Sequence, residues 1–354
     1  MKDYETCSSK KQLSLKPDYD EALKRWDAFW QGDMIDRPIV SITAPNPAFA
    51  DYEPYPDNYY NRVNGDLNAL TDGVLRNAES NLYLGEAIPS AFLSFGCDEI
   101  AAFCGGALSF HPDSMDTNWS VPFVEDWKDV LPLKIQEQDP LWQRMLTYIS
   151  LMANKAEGNM LINPIDLHTN MDLLLAVRGA ESLCLDLLDC PETIDQAMAS
   201  ARQVFMDVWD ATRKAGFLPR KSGATLQCDF SCMIGTDMFR RWALPALEEE
   251  AEIVGRVRYH WDGPGALIHA DDLIASKGLY LLDYVPGEGN GTHAGFLNLF
   301  KKVQAGGKAV AVHGSIEMIK WMHTELDPTL VTYSTRADSA QEAEQLLEWF
   351  RKHT

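Results

Sequence analysis

Eight short runs rich in β-branched and aromatic residues recur along the chain, and most are separated by stretches with helical periodicity. They are Pro38–Thr43, Ser90–Phe95, Asn159–Asn163, Ala224–Asp229, Arg256–Asp262, Leu279–Val285, Lys308–His313 and Leu330–Ser334. Strands alternating with helices mark a parallel sheet wrapped by helices, because successive parallel strands need a long crossover and a helix supplies it. Eight such units predict an α/β fold made of a single (β/α)8 TIM barrel. The 354 residues, 46% of them apolar, suffice for a core of that size.

Residues 1–17, rich in Lys and Ser, read as a flexible tail, and residues 18–354 as the barrel domain. Asp18–Gln31 forms an N-terminal helical extension, with Leu23, Trp26, Phe29 and Trp30 on one face and Gly32 at its end. Pro191 suits a first helical position, Ser339-Ala340-Gln341-Glu342 is a capping box, and Gly306-Gly307 closes a helix beginning near Thr292. The stretch 52–141, rich in Pro, Asn, Asp and aromatics, reads as an insertion over the barrel mouth. Tyr52, Tyr55, Tyr59 and Tyr60 within it are candidates for a lid over a small substrate.

Charge narrows the function classes. A formal charge of −21 repels nucleic acid and anionic membranes, and no run of Lys and Arg offsets it. No stretch approaches the ~20 apolar residues of a membrane span, and the first residues lack an apolar signal core. Seven cysteines without CxxC spacing suit reduced thiols, so a cytoplasmic location is expected. The chain is compatible with a homo-oligomer.

In an α/β barrel the loops after the strands converge, so chemistry is sought at the strand ends. His260 and Asp262 share one face of an extended segment that Gly263-Pro264-Gly265 ends, and Trp261 between them points to the opposite face. Asp229 ends the fourth run, and these three are the candidate catalytic residues. Asn163 and Asp166 after the third run, Tyr284 at the end of the sixth, and Arg37 and Arg336 are candidates for substrate binding. His260, Asp262, Glu288, His293 and His313 are candidate ligands of an oxygen-and-imidazole zinc site. The Gly287–Gly291 loop lacks the pattern of a phosphate cradle. Cys228 and Cys232 read as buried inert thiols, His269, Asp271 and Asp272 as a solvated helix face, and most tryptophans as core.

Four segments resemble the superfamily of uroporphyrinogen decarboxylase and the cobalamin-dependent methyltransferases. They are Asp36-Arg37-Pro38-Ile39-Val40, Asn163-Pro164-Ile165-Asp166 with Leu173–Gly179, Gln227–Gly235 with Met238-Phe239 and Leu244-Pro245, and His260-Trp261-Asp262-Gly263. They span most of Asp36 to Trp349 in the expected order. The resemblance implies one barrel with its site at the carboxyl ends of the strands. It also implies, in the decarboxylase branch, an arginine-rich loop after the first strand. Pro45–Glu53 here contains no Arg or Lys, which argues against a porphyrinogen substrate. The methyltransferase branch implies a zinc held by a His-x-Cys pair and a later Cys. Asp262 stands in place of the first Cys, and Arg336-Ala337-Asp338 offers no second.

The expected function is therefore methyl transfer from a small methylated compound to a corrinoid carried by a separate partner protein, since the eight units leave no room for a corrinoid domain. A decarboxylase or lyase acting on a small carboxylic acid is the alternative enzyme. A small-molecule or corrinoid-binding barrel without catalysis is the third reading.

Overall fold

The computed structural model describes residues 13–217 and 223–354. Eleven strands run in chain order: β1 (Ile39–Pro45), β2 (Asn81–Gly85), β3 (Ser90–Ala91), β4 (Ala107–Phe110), β5 (Asn118–Val121), β6 (Leu161–Ile162), β7 (Ala224–Gln227), β8 (Val257–Asp262), β9 (Leu281–Val285), β10 (Ala309–His313) and β11 (Val331–Arg336). Each of the eight predicted runs overlaps one of them, β1 and β11 extending two residues beyond theirs. The additional β2 and the hairpin β4–β5 belong to the insertion.

The fold is mixed α/β with a parallel sheet. Seven strands pair in the order β2-β1-β11-β10-β9-β8-β7, all parallel except β2, which runs antiparallel to β1. The remaining predicted strands, β3 and β6, form a separate two-stranded parallel pair. Among the described residues no ladder joins that pair to the large sheet, so the expected ring is not closed by strand hydrogen bonds. The edge of β1 is occupied instead by β2, and β3 and β6 are only two residues long. Gly85 ends β2 at φ +60, where an added Cβ would lie 2.1 Å from the Val40 carbonyl oxygen.

Strand alternation separates two environments. Val40, Ile42, Leu226, Val257, Tyr259, Trp261, Leu282, Tyr284, Val310, Val312, Val331 and Tyr333 face the helices and join the main core. On the opposite face the amino ends of the strands carry Ile39, Leu281, Ala309 and Ala311, packed against Trp26 and Phe29. Those aromatics come from the helix Tyr19–Phe29, which plugs this end. Toward the carboxyl ends the same face turns polar, with Ser41, Thr43, Gln227, Arg258, His260, Asp262, Asp283, His313 and Ser334.

Several expectations meet the coordinates directly. Pro191 opens a helix that runs to Ala215, and the Ser339 hydroxyl caps the last helix by accepting from the Glu342 amide. Of the predicted tail, residues 1–12 lie outside the described region. Leu13 and Lys16 are buried, and the Lys16 ammonium donates to the Gly85 carbonyl at 2.7 Å. No described helix is long and apolar enough to cross a membrane.

Candidate functional site

The loops after β3, β6, β7 and β8 bring four carboxylates and two imidazoles to one end of the sheet, and a fifth carboxylate, Asp172, supports them from a helix. His168 is central. Its Nε2 lies 3.5 Å from Asp166 and 4.0 Å from Asp229, and its Nδ1 lies 3.5 Å from Asp172. Burial opposes a charge on this ring, yet Asp166, Asp172, Asp229 and Asp98 together raise its affinity for a proton above the ordinary histidine value. His168 thus sits in an acidic cage that favours its protonated form.

Asp229 opens a short 3-10 turn, Asp229–Met233, directly after β7. Its backbone N–H donates to Asp172 Oδ2 at 3.0 Å, and the next amide, of Phe230, donates to Asp172 Oδ1 at 2.8 Å. Asp172 sits on the helix Asn170–Arg178 and is 2% exposed, so a buried carboxylate fixes the turn. Burial and then the charge of Asp172 push the Asp229 carboxyl up to about 6, with His168 and His260 pulling the other way. Its Oδ1 is buried without a protein partner, although the side chain keeps 37% of its area exposed. Asp229 is therefore a carboxyl whose affinity for a proton is raised toward neutrality, and it faces the chamber.

His260 and Asp262 occupy the polar face of β8, as the alternation predicts, with Nε2 and Oδ1 3.9 Å apart. Trp261 between them is fully buried and donates to the Ala266 carbonyl. The Gln227 amide donates to Asp166, and Asp98 accepts the Ser120 amide at 2.8 Å. Glu99, fully buried, accepts the amides of Phe95 at 2.6 Å and Asp166 at 3.0 Å, which ties the loops after β3 and β6 together. Beneath them Glu250 accepts from the Thr169 hydroxyl and the Asn170 amide, and burial pushes its carboxyl up to about 8.

The thiols here stay protonated. Burial, aided by Asp98, Asp166 and Asp229, pushes Cys97 up to about 12, and burial holds Cys228 well above the usual thiol range. Cys232, expected to be buried, is exposed. Of the four insertion tyrosines, Tyr59 reaches the cage, its phenol raised by burial and then by Asp166. Tyr52 donates to Asn77, Tyr60 packs on Phe110, and Tyr55 covers Gly73, where a Cβ would lie 2.2 Å from the ring.

Other candidates go elsewhere. Arg37 precedes β1 at the opposite end of the sheet, 3% exposed, and donates to both oxygens of the buried Glu86, so it binds protein rather than substrate. Tyr284 lies on the helix-covered face, its ring centroid 4.7 Å from Phe296 and 5.4 Å from Trp261, because its strand parity opposes that of Asp283. Glu288 is exposed in its loop. His293 is buried, accepts the His313 amide at 3.0 Å, and is lowered to about 4 by burial and His313. His313 belongs to a row across four strands: Arg258 donates to Asp283 at 2.7 Å, His313 Nε2 lies 2.8 Å from Asp283 Oδ1, and His313 Nδ1 meets the Ser334 hydroxyl. Asn163 is 9% exposed with its side-chain oxygen unpartnered, and Arg336 lines an open cavity. His269, expected on a solvated face, is fully buried, bonded to the Ser231 carbonyl and stacked on Phe239.

The proposed zinc ligands do not gather. His260 and Asp262 are together, His293 and His313 are together in another network, and Glu288 is exposed in its loop. Among the described residues no three of His, Cys, Asp and Glu converge as a metal site. The residues the sequence reading did not select are His168, Asp172, Asp98 and Cys97. The His168/Asp172 spacing of four was a readable signal, but the turn containing Asp229 that joins them to the site lies 57 positions downstream.

No family model and no curated protein matches the chain. Among solved structures, a methyltransferase from Methanosarcina mazei superposes with a TM-score of 0.58 at 14% identity, covering 96% of this chain and 99% of that one. At that identity the likeness is one of fold, and it extends over nearly the whole of both chains.

Proposed function

We propose that the protein is a methyltransferase that takes a methyl group from a small neutral or cationic compound and passes it to a corrinoid on a separate partner protein. The observation that carries this reading is Asp229, a carboxyl raised to about 6 with an unpartnered buried oxygen beside His168 and His260. When the carbon–heteroatom bond breaks, its electron pair stays on the heteroatom, which takes the Asp229 proton, while the methyl carbon bonds to the acceptor's nucleophile. With a neutral donor the protonated heteroatom leaves far more readily than its anion, so the acid lowers the barrier; with a cationic donor the heteroatom leaves already neutral and takes a proton only after the bond has broken. The carboxylates of Asp98, Asp166 and Asp262 make the chamber hospitable to cations. No step is assigned to zinc, because the ligand set does not come together. The architecture assumed is the eight-stranded parallel barrel, for which all eight strands are present, and the Methanosarcina mazei likeness supports it.

The lyase alternative needs a cation to hold a substrate carboxylate. Arg37 is bound to Glu86 and Arg258 to Asp283, so of these three cations Arg336 alone is left to hold one. The test is methyl transfer from a panel of methylated amines, ethers and onium compounds to reduced cobalamin. Transfer from a neutral donor by the wild type, reduced at least 100-fold in Asp229→Asn, is expected on the scale of general acid catalysis. Failure with every donor, or an unaffected Asp229→Asn variant, would remove the proposal.

A further inference from the structure

A second group of reactive side chains stands apart from the acidic cage. Asp283 on β9, His313 on β10 and Ser334 on β11 come from three adjacent strands and share the polar face, with His313 and Ser334 paired in register. The imidazole bridges the other two: Nδ1 lies 2.5 Å from the Ser334 hydroxyl, and Nε2 lies 2.8 Å from Asp283 Oδ1. Burial opposes a charge on Asp283, yet Arg258 and His313 hold its carboxyl well below the ordinary range. His313 and Ser334 are only half-buried, so the pair can be reached.

The company His313 keeps sets its tautomer. Arg258 Nη2 lies 2.8 Å from the same Nε2, but Nε and Nη2 of Arg258 both already face Asp283 Oδ2. An ionised carboxylate is a stronger acceptor than a neutral imidazole nitrogen, so the Nε2 proton goes to Asp283. Nδ1 is then the bare nitrogen, and the Ser334 hydroxyl donates to it. A buried carboxylate, an imidazole and a hydroxyl linked in this way are a positioning group, a base and a nucleophile.

Two cavities meet at this pair. Ser334 lines one of about 430 Å³ with Ser41, Thr43 and Thr335, and His313 lines another of about 480 Å³ with Pro286, Thr292 and Ser315. Gly314 borders both, and neither is lined by a residue of the acidic cage. Thr335 donates to the Gly314 carbonyl and Arg336 is turned to Asn81, whereas Ser41 and Thr43 have no side-chain partner among the described residues. Ser41 stands opposite Ser334 in the β1–β11 register, so its hydroxyl is a free donor beside the nucleophile.

We infer that Ser334, His313 and Asp283 form a catalytic centre separate from the cage, which hydrolyses small esters through an acyl-serine. Ser334 Oγ bonds to the ester carbonyl carbon as its proton passes to His313 Nδ1, and Ser41 donates to the carbonyl oxygen as it becomes an anion. The bond from that carbon to the alcohol oxygen then breaks, and the alcohol leaves with the proton from His313. Water gives a proton to His313 and attacks the acyl carbon, and Ser334 Oγ departs and recovers that proton. Ester and water become acid and alcohol, with no further reactant. Cavities of this size lined by short side chains suit a short acyl group. The inference stands independently of the methyltransferase reading.

The test uses the full chain with p-nitrophenyl acetate and with a fluorophosphonate, which traps nucleophilic serines. A burst of about one p-nitrophenolate per chain followed by turnover is expected, with the phosphonyl group found on Ser334 by peptide mass spectrometry. Ser334→Ala should abolish burst and label, and His313→Gln should slow both at least about 100-fold, the scale of a lost general base, while circular dichroism confirms folding. Nitrogen NMR of the neutral His313 ring in the wild type should show the proton on Nε2, a preference that Asp283→Asn should weaken. Absence of burst and label, labelling that persists in Ser334→Ala, or a proton on Nδ1 would overturn the centre.

Discussion

Asp172 accepts the backbone amide of Asp229 at 3.0 Å, so the residue that shapes the turn is also the charge that raises the acid at its start. His168 touches both, at 3.5 Å from Asp172 and 4.0 Å from Asp229, with the opposite sign. Fold and reactivity are coupled through this trio.

The two neighbours of Asp229 should therefore move its titration in opposite directions. Asp172→Asn removes a negative charge, so the Asp229 carboxyl should titrate below its value of about 6. His168→Gln removes the imidazole that pulls the Asp229 carboxyl down and should move it above. Shifts of about one unit are the scale expected of a single nearby charge. The basic limb of the pH–rate profile, or carbon NMR of labelled aspartate, reads both; equal shifts in one direction would disprove the arrangement.

Activity that depends on protonated Asp229 should fall as pH rises through about 6. In Asp229→Asn that limb should disappear along with most of the rate. Profiles of kcat/KM for the two proteins test this.

Glu250 should give the fold a pH dependence of its own. Burial raises its carboxyl from the ordinary 4.5 to about 8, so the folded chain holds a proton that the unfolded chain releases in that window. The stability linked to it is complete below about 4.5 and is lost as pH rises through about 8. Glu250→Gln, which keeps an oxygen to accept from the Thr169 hydroxyl, should flatten urea-denaturation stability between these limits. The slope removed should amount to a few kcal/mol.

Arg37→Met should act on stability and not on catalysis. Removing the guanidinium leaves Glu86 buried without its bidentate partner, a loss of about 3–5 kcal/mol for a broken buried ion pair. The KM of the remaining folded protein should be unchanged, and a raised KM with unaltered stability would return Arg37 to the substrate.

Elemental analysis of the wild type, His260→Ala and Asp262→Ala should show no stoichiometric zinc in any of them, because His293, His313 and Glu288 stand apart from the first pair. One equivalent lost in both variants would restore the metal site.

Strand existence was legible because it is local: β-branched runs and period-two burial place Trp261 inward and His260 and Asp262 on the polar face whatever the rest of the chain does. The same parity would have sent Tyr284 to the helices, had it been applied from Asp283 onward. Sheet closure was not legible, since β2 lies in a segment without a clear period and takes the edge of β1.

The sequence by itself determined the alternation of strands and helices, the polar ends of β7, β8 and β10, and the acidic balance that disfavours polyanions. Tertiary structure alone decided which of those ends meet. His168 becomes the centre of a carboxylate cage, and Asp229 becomes a weak acid, through residues 57 to 61 positions apart whose approach depends on helix packing. Arg37 and Arg336 look alike in the chain. One is buried against Glu86 and the other is left beside free hydroxyls, because burial and pairing are properties of the space around a side chain and no local pattern encodes them.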